Sequence, residues 1–143
     1  MNKITWFLKL FFYFSLLLLV IASLFPGSLA GLLVFNDIGR PPNLVDNPIY
    51  QVLPIDYYNI SAIINHFAFF FFTSILGFSI YSRKYNFQKL VYVLFSLSIF
   101  LEVIQVVIPN RVFEIYDVSA NFAGVLFAYL IIKIYKFYKK NNE

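Results

Sequence analysis

Four long apolar runs, separated by polar or proline-bearing stretches, organise the chain. They extend from Ile4 to Phe25, interrupted by Lys9; from Ile60 to Ser82, with unbroken phenylalanine from Phe69 to Phe72; from Leu90 to Ile108; and from about Asp117 to Tyr135, where Lys133 can snorkel. Each is close to the roughly 20 residues that cross a bilayer as a helix. Backbone in lipid must satisfy its own hydrogen bonds, and no barrel-type alternation is present, so the runs predict helices. The predicted fold is all-α: an integral membrane bundle of four transmembrane helices at about 4–25, 60–82, 90–108 and 117–135, within a single domain over 1–143. The connection at about 26–59 holds Pro26, Pro41, Pro42, Pro48 and Pro54, which disfavours regular helix there.

Composition supports this picture. Hydrophobic residues make up 61% of the chain and charged residues 13%, against the roughly 25% charged of a soluble domain. The absence of cysteine excludes disulfides, thiolate ligands and a cysteine nucleophile. A net charge of +4 could point to nucleic acid, but the distribution of the basic residues argues against that partner. Nine of the 11 lie at the N-terminus, between the second and third runs, or in the C-terminal tail; only Arg40 and Arg111 fall on the other side. Basic residues are retained on the cytoplasmic side of short connections. Both termini are therefore expected in the cytoplasm, in the plasma (inner) membrane, with the 26–59 loop and the turn around Arg111 outside. The basic tail then anchors the topology near anionic lipid. The first run leaves two possibilities open. Ser28 and Ala30 ahead of Gly31 resemble a signal-peptide cleavage site, yet the run exceeds a usual apolar region of about 7 to 15 residues, and an uncleaved anchor gives the same topology downstream.

Against this apolar background the stretch from Glu102 to Gly124 stands out, because it places Glu102, Gln105, Arg111, Asp117 and Asn121 around a turn between two spans. Glu102 precedes Pro109 by seven residues, roughly 10 Å below the outer end of its helix, with Gln105 at i+3 on the same face. Asn121 follows Asp117 by one turn on the same face, and His66 lies six residues into the second span, roughly 9 Å deep. Polar groups from three helices thus share one outer-leaflet level. The cytoplasmic halves contribute no comparable group. Ala120, Gly124 and Ala128 recur every four residues along the fourth span, a small-residue ridge for close helix packing that sits beside Asn121.

Each polar residue has a structural reading beside a functional one. Asp117 suits an N-cap accepting from the Ser119 or Ala120 amides. Arg111 suits an ion-pair partner, Asn121 and Gln105 suit interhelical hydrogen-bond glue, and His66 suits packing. Glu102 is the exception: a carboxyl at helix centre costs roughly 2.5 to 3.5 kcal/mol on insertion scales, and folding does not require it. Three mechanisms use the set. As a binding module, Arg111 grips an anionic head group or lipid-linked phosphate while Glu102, Asn121 and Gln105 recognise hydroxyl or amide groups. As an enzyme, Glu102 or His66 supplies acid or base with Arg111 stabilising developing charge. As a structural subunit, the network only fixes helix register.

No catalytic triad, glycine-rich phosphate loop or nucleotide fingerprint is present, so no cofactor is expected. One histidine with several carboxylates could hold a divalent ion, but HExxH and cysteine pairs are lacking, and no metal is assigned from sequence.

The pattern ExxQxxxxxRxxxxxDxxxNxxG, carried by Glu102, Gln105, Arg111, Asp117, Asn121 and Gly124, with His66-Phe67 upstream in a span, resembles the VanZ-like membrane proteins over about residues 60 to 135. The chain departs from the family at Ala62 and Ile63, where an Asp-Lys pair is frequent, and at Ala128, where a second glycine is frequent. The family takes its name from an accessory protein that raises teicoplanin resistance. The resemblance implies a multi-pass protein of the bacterial cell envelope, with membrane lipids and a lipid-linked envelope precursor as expected partners. On the binding reading, the ligand site comprises Glu102, Arg111, Asp117, Asn121, Gln105 and His66.

Overall fold

Runs of leucine, isoleucine, valine and phenylalanine form helices here because hydrogen bonds closed within one segment leave only side chains to meet the surroundings. The computed structural model describes residues 3–26, 32–33, 36, 57–81, 87–108 and 113–142. Among the described residues there are four long helices: α1 (Lys3–Leu24), α2 (Tyr57–Tyr81), α3 (Phe87–Gln105) and α4 (Ile115–Asn141). All four are long and apolar enough to cross a membrane, and no strand occurs among the described residues. Most of the 26–59 connection lies outside the described residues, as do Arg40 and Arg111.

The helix limits shift from the expected ones in ways the chain explains. α3 begins three residues before Leu90 and ends at Gln105, so Glu102 sits one turn from the helix end. Beyond it, Val106, Val107 and Ile108 donate to the carbonyls three residues back, at 3.3, 3.1 and 3.0 Å, a tighter turn ahead of Pro109. α4 starts two residues before Asp117, with extended Glu114 in the N-cap position and no side-chain cap. Asp117 is therefore the third helical residue, and the N-cap reading of it fails. At its other end α4 runs past Tyr135 to Asn141, where Lys139 and Lys140 in the last turn complement the helix dipole.

The molecule inverts the pattern of a soluble domain. Phe7, Phe11, Phe14, Phe72, Tyr92 and Phe100 are among many large apolar side chains turned outward, whereas Thr73, Ser74, Ser98, Glu102, Gln105, Asp117 and Asn121 are buried. An apolar exterior on this scale requires an apolar solvent. Lipid meets that requirement.

The seam between α2 and α4 is the most extensive in the bundle. A Cβ on Gly124 would stand 2.5 Å from the Phe67 carbonyl oxygen and 2.9 Å from the Phe71 nitrogen, so only glycine permits this approach of the two backbones. Ala120 and Ala128, one turn to either side, are also buried, completing the ridge. Around the seam, Phe70, Phe78, Leu94, Leu101 and Val125 form the core together with Leu19 from α1. Phe95 and Phe122 stack between α3 and α4 with centroids 4.3 Å apart. α1 seats Phe12 against Gly77 of α2, and its Tyr13 hydroxyl hydrogen-bonds that of Tyr81 at 2.7 Å.

Candidate functional site

The glycine seam sets the position of the polar site. Because α4 meets the α2 backbone at Phe67, the residue one turn earlier on α4, Asn121, is brought against His66. His66 Nδ1 lies 3.2 Å from Asn121 Oδ1 and 3.6 Å from Glu102 Oε1, while Nε2 lies 3.2 Å from Asp117 Oδ2. Three helices thus contribute one cluster. Its location is the end of the bundle where α2 and α4 begin and α3 finishes.

Burial differs among the members. The Glu102 side chain is 1% exposed and that of Asp117 10%, whereas the imidazole retains 17%. His66 is the most open of the three. Asp117 gains from its place in the first turn of α4, where the helix dipole favours an anion by roughly 0.3 to 1 kcal/mol. Glu102 stands near the C-terminal end of α3, where the same dipole disfavours a carboxylate. Local helix energetics therefore account for Asp117 and oppose Glu102. The imidazole resolves part of this conflict: protonated, it donates from both ring nitrogens to the surrounding acceptors, and neutral it donates from one.

The sequence-predicted residues separate into groups. His66, Glu102, Asp117 and Asn121 converge. Gln105 is buried on the same helix as Glu102, but its Nε2 donates to the Ser23 carbonyl at 3.1 Å, tying the end of α3 to the end of α1. Arg111, expected beside the carboxylates, lies outside the described residues. Ala120, Gly124 and Ala128 form the packing ridge beneath the cluster.

Sequence reasoning missed the buried hydroxyls Thr73, Ser74 and Ser98. Ser98 precedes Glu102 by one turn of α3, and the Oγ atoms of Ser74 and Ser98 have no hydrogen-bond partner. The polar interior thus extends from the ionisable cluster toward the middle of the bundle. Serine and threonine are common in spans, so the available signal was the i−4 spacing of Ser98 from Glu102.

Chemically, the cluster offers carboxylate and amide oxygens with one imidazole. Such a set can accept hydrogen bonds from hydroxyl, amide or ammonium groups, move a proton through the histidine, or ligate a cation. These features define a class: a helical protein with four spans long and apolar enough to cross a membrane and a histidine–carboxylate cluster at one end of its bundle. The VanZ/LLP1 family model matches residues 4–136, nearly the whole chain, and the protein belongs to that family. No curated protein and no solved structure matches it.

Proposed function

We propose that the protein binds the polar head group of an anionic lipid or a lipid-linked cell-wall precursor in the outer leaflet of the cell membrane. One observation carries the reading: His66, Glu102, Asp117 and Asn121, drawn from three helices, close on one another inside a bundle whose exterior is apolar. Ionisable groups at membrane depth are expensive, and two buried carboxylates exceed what holding helices together requires. Glu102, Asp117 and Asn121 accept from ligand hydroxyl, amide or ammonium groups. Arg111, six residues before Asp117 in the connection to α4, supplies the planar fork that grips a phosphate. The distribution of basic residues directs this end of the bundle away from the cytoplasm, toward the leaflet that holds externally displayed precursors. The family's name extends the reading to a contribution to teicoplanin resistance.

A second reading rests on the 3.2 Å approach of Asp117 Oδ2 to His66 Nε2. A carboxylate that orients an imidazole is the arrangement of a general base, so the same residues suit acid–base chemistry on an envelope lipid.

Native mass spectrometry of the gently extracted protein tests the binding reading. Wild-type protein is expected to carry a lipid or glycan precursor that Glu102→Gln and Arg111→Ala both lose, with membrane abundance and Tm nearly unchanged. Absence of any adduct from wild type, or misfolding of both variants, would overturn it in favour of a structural network. Conversion of extracted envelope lipids by the purified protein would shift the reading to an enzyme.

A further inference from the structure

We propose that His66, Glu102 and Asp117 form a binding site for one divalent transition-metal ion of the zinc or manganese class. The three side chains come from α2, α3 and α4, and one ligand atom from each lies within 4.8 Å of those of the other two. Ions of this class hold imidazole nitrogen and carboxylate oxygen at about 2.0 to 2.2 Å, which separates adjacent ligand atoms by about 3.4 Å in a tetrahedral arrangement. The 3.2 Å between His66 Nε2 and Asp117 Oδ2 already meets that spacing. Closing a 4.8 Å separation to that spacing takes about 1.4 Å, shared between two side chains.

The hydrogen bonding around the histidine points the same way. Asn121 Oδ1 is an acceptor and stands 3.2 Å from Nδ1, a contact that suits the neutral tautomer with its proton on Nδ1. The Nε2 lone pair then faces the Asp117 oxygen, another acceptor, at 3.2 Å. Two acceptors at that distance need a proton or a cation between them. A ligating histidine whose other ring N–H is fixed by an oxygen acceptor is the usual arrangement at metal centres, because the acceptor sets the tautomer and raises ligand basicity. Asn121 occupies that position here. The donor set of one imidazole and two carboxylates suits zinc or manganese better than calcium, which takes oxygen ligands, or copper(I), which takes sulfur. Burial of both carboxylates separates this cluster from the exposed acidic groups that occur without metals. Three protein ligands would leave a tetrahedral ion one coordination position for water or substrate.

The inference does not depend on lipid binding, since the ion alone is the ligand. Full-length protein in mild detergent, stripped with chelator and returned to metal-free buffer, is titrated with Co²⁺, Zn²⁺ and Mn²⁺. Wild type is expected to bind one Co²⁺ per chain, with ligand-field absorption in the visible, and Zn²⁺ is expected to displace it and raise Tm. Asn121→Ala, which leaves all three ligands in place, is expected to weaken affinity by about 10- to 100-fold. His66→Ala and Glu102→Gln abolish the visible spectrum. Failure of folded wild type to take up any of the three ions saturably overturns the proposal, as does equal uptake by wild type and His66→Ala. Neither result bears on whether a lipid co-purifies, so the two readings fail separately.

Discussion

The two ends of the bundle solve the same packing problem with different chemistry. At one end, Phe78 of α2, Phe87 of α3 and Tyr129 of α4 pack ring against ring, with centroids 4.9 Å apart for Phe78 and Phe87 and 5.1 Å for Phe87 and Tyr129. Lys136 places its ammonium 4.5 Å from the Phe87 ring centroid, and Lys133 lies 5.6 Å from that of Tyr129. At the other end the same three helices meet through His66, Glu102, Asp117 and Asn121. At the aromatic end, ring packing and the Lys136–Phe87 cation–π contact join these helices without any ionisable cluster of the kind at the other end. Ionisable residues at the opposite end are thus a departure that packing did not demand. That contrast is the physical basis for the function proposed for the polar end.

The largest way to break the comparison is to remove what both ends share. Gly124→Val places a branched side chain against the Phe67 and Phe71 backbone, where no rotamer can yield. It is expected to abolish folded protein, checked by size-exclusion behaviour and protease resistance in detergent, and retained wild-type behaviour would show that the α2–α4 seam is looser than described.

Paired substitutions at the two ends come next. Phe78→Ala deletes a fully buried ring and is expected to destabilise by about 3 kcal/mol or more, from lost contacts and a cavity. Glu102→Gln keeps the shape and is expected to change stability by less than about 1 kcal/mol, on the scale of interhelical polar contacts in membranes, while eliminating ligand retention. Reversible unfolding in mixed micelles, run beside the native mass measurement, gives both numbers. A larger stability loss at Glu102 than at Phe78 would invert the assignment of roles.

The smallest effect belongs to the surface of the aromatic end. Lys136→Ala removes one cation–π contact and is expected to cost about 0.5 to 1 kcal/mol with no effect on the polar site. The same unfolding assay resolves it. A change in ligand retention in this variant would mean that the two ends communicate.

Much of this organisation was legible in the chain. The helices fall where apolar runs approach span length, because that signal is local and the bilayer sets a fixed threshold. His66, Glu102, Asp117 and Asn121 stood out because such residues are rare in spans. Helix ends were harder to read. Asp117 resembled a cap, yet Ile115 and Tyr116 extend α4 beyond it, since apolar residues can enter a first turn that Glu114 starts without a side-chain bond. Thr73, Ser74 and Ser98 escaped notice because hydroxyl side chains carry no strong hydropathy signal within a phenylalanine- and leucine-rich run.

By itself the sequence determined four membrane-length helices, the polar residues embedded in them, and the glycine and alanine ridge along the last helix. Tertiary structure alone decided that His66 takes Asp117 on one ring nitrogen with Asn121 and Glu102 on the other, and that Gln105 ties α3 to α1. The reason is geometric. Hydropathy and spacing report each helix's own period, whereas contacts between helices depend on rotation, tilt and register. Here those are set by the close approach at Gly124, a property of two segments that neither contains alone.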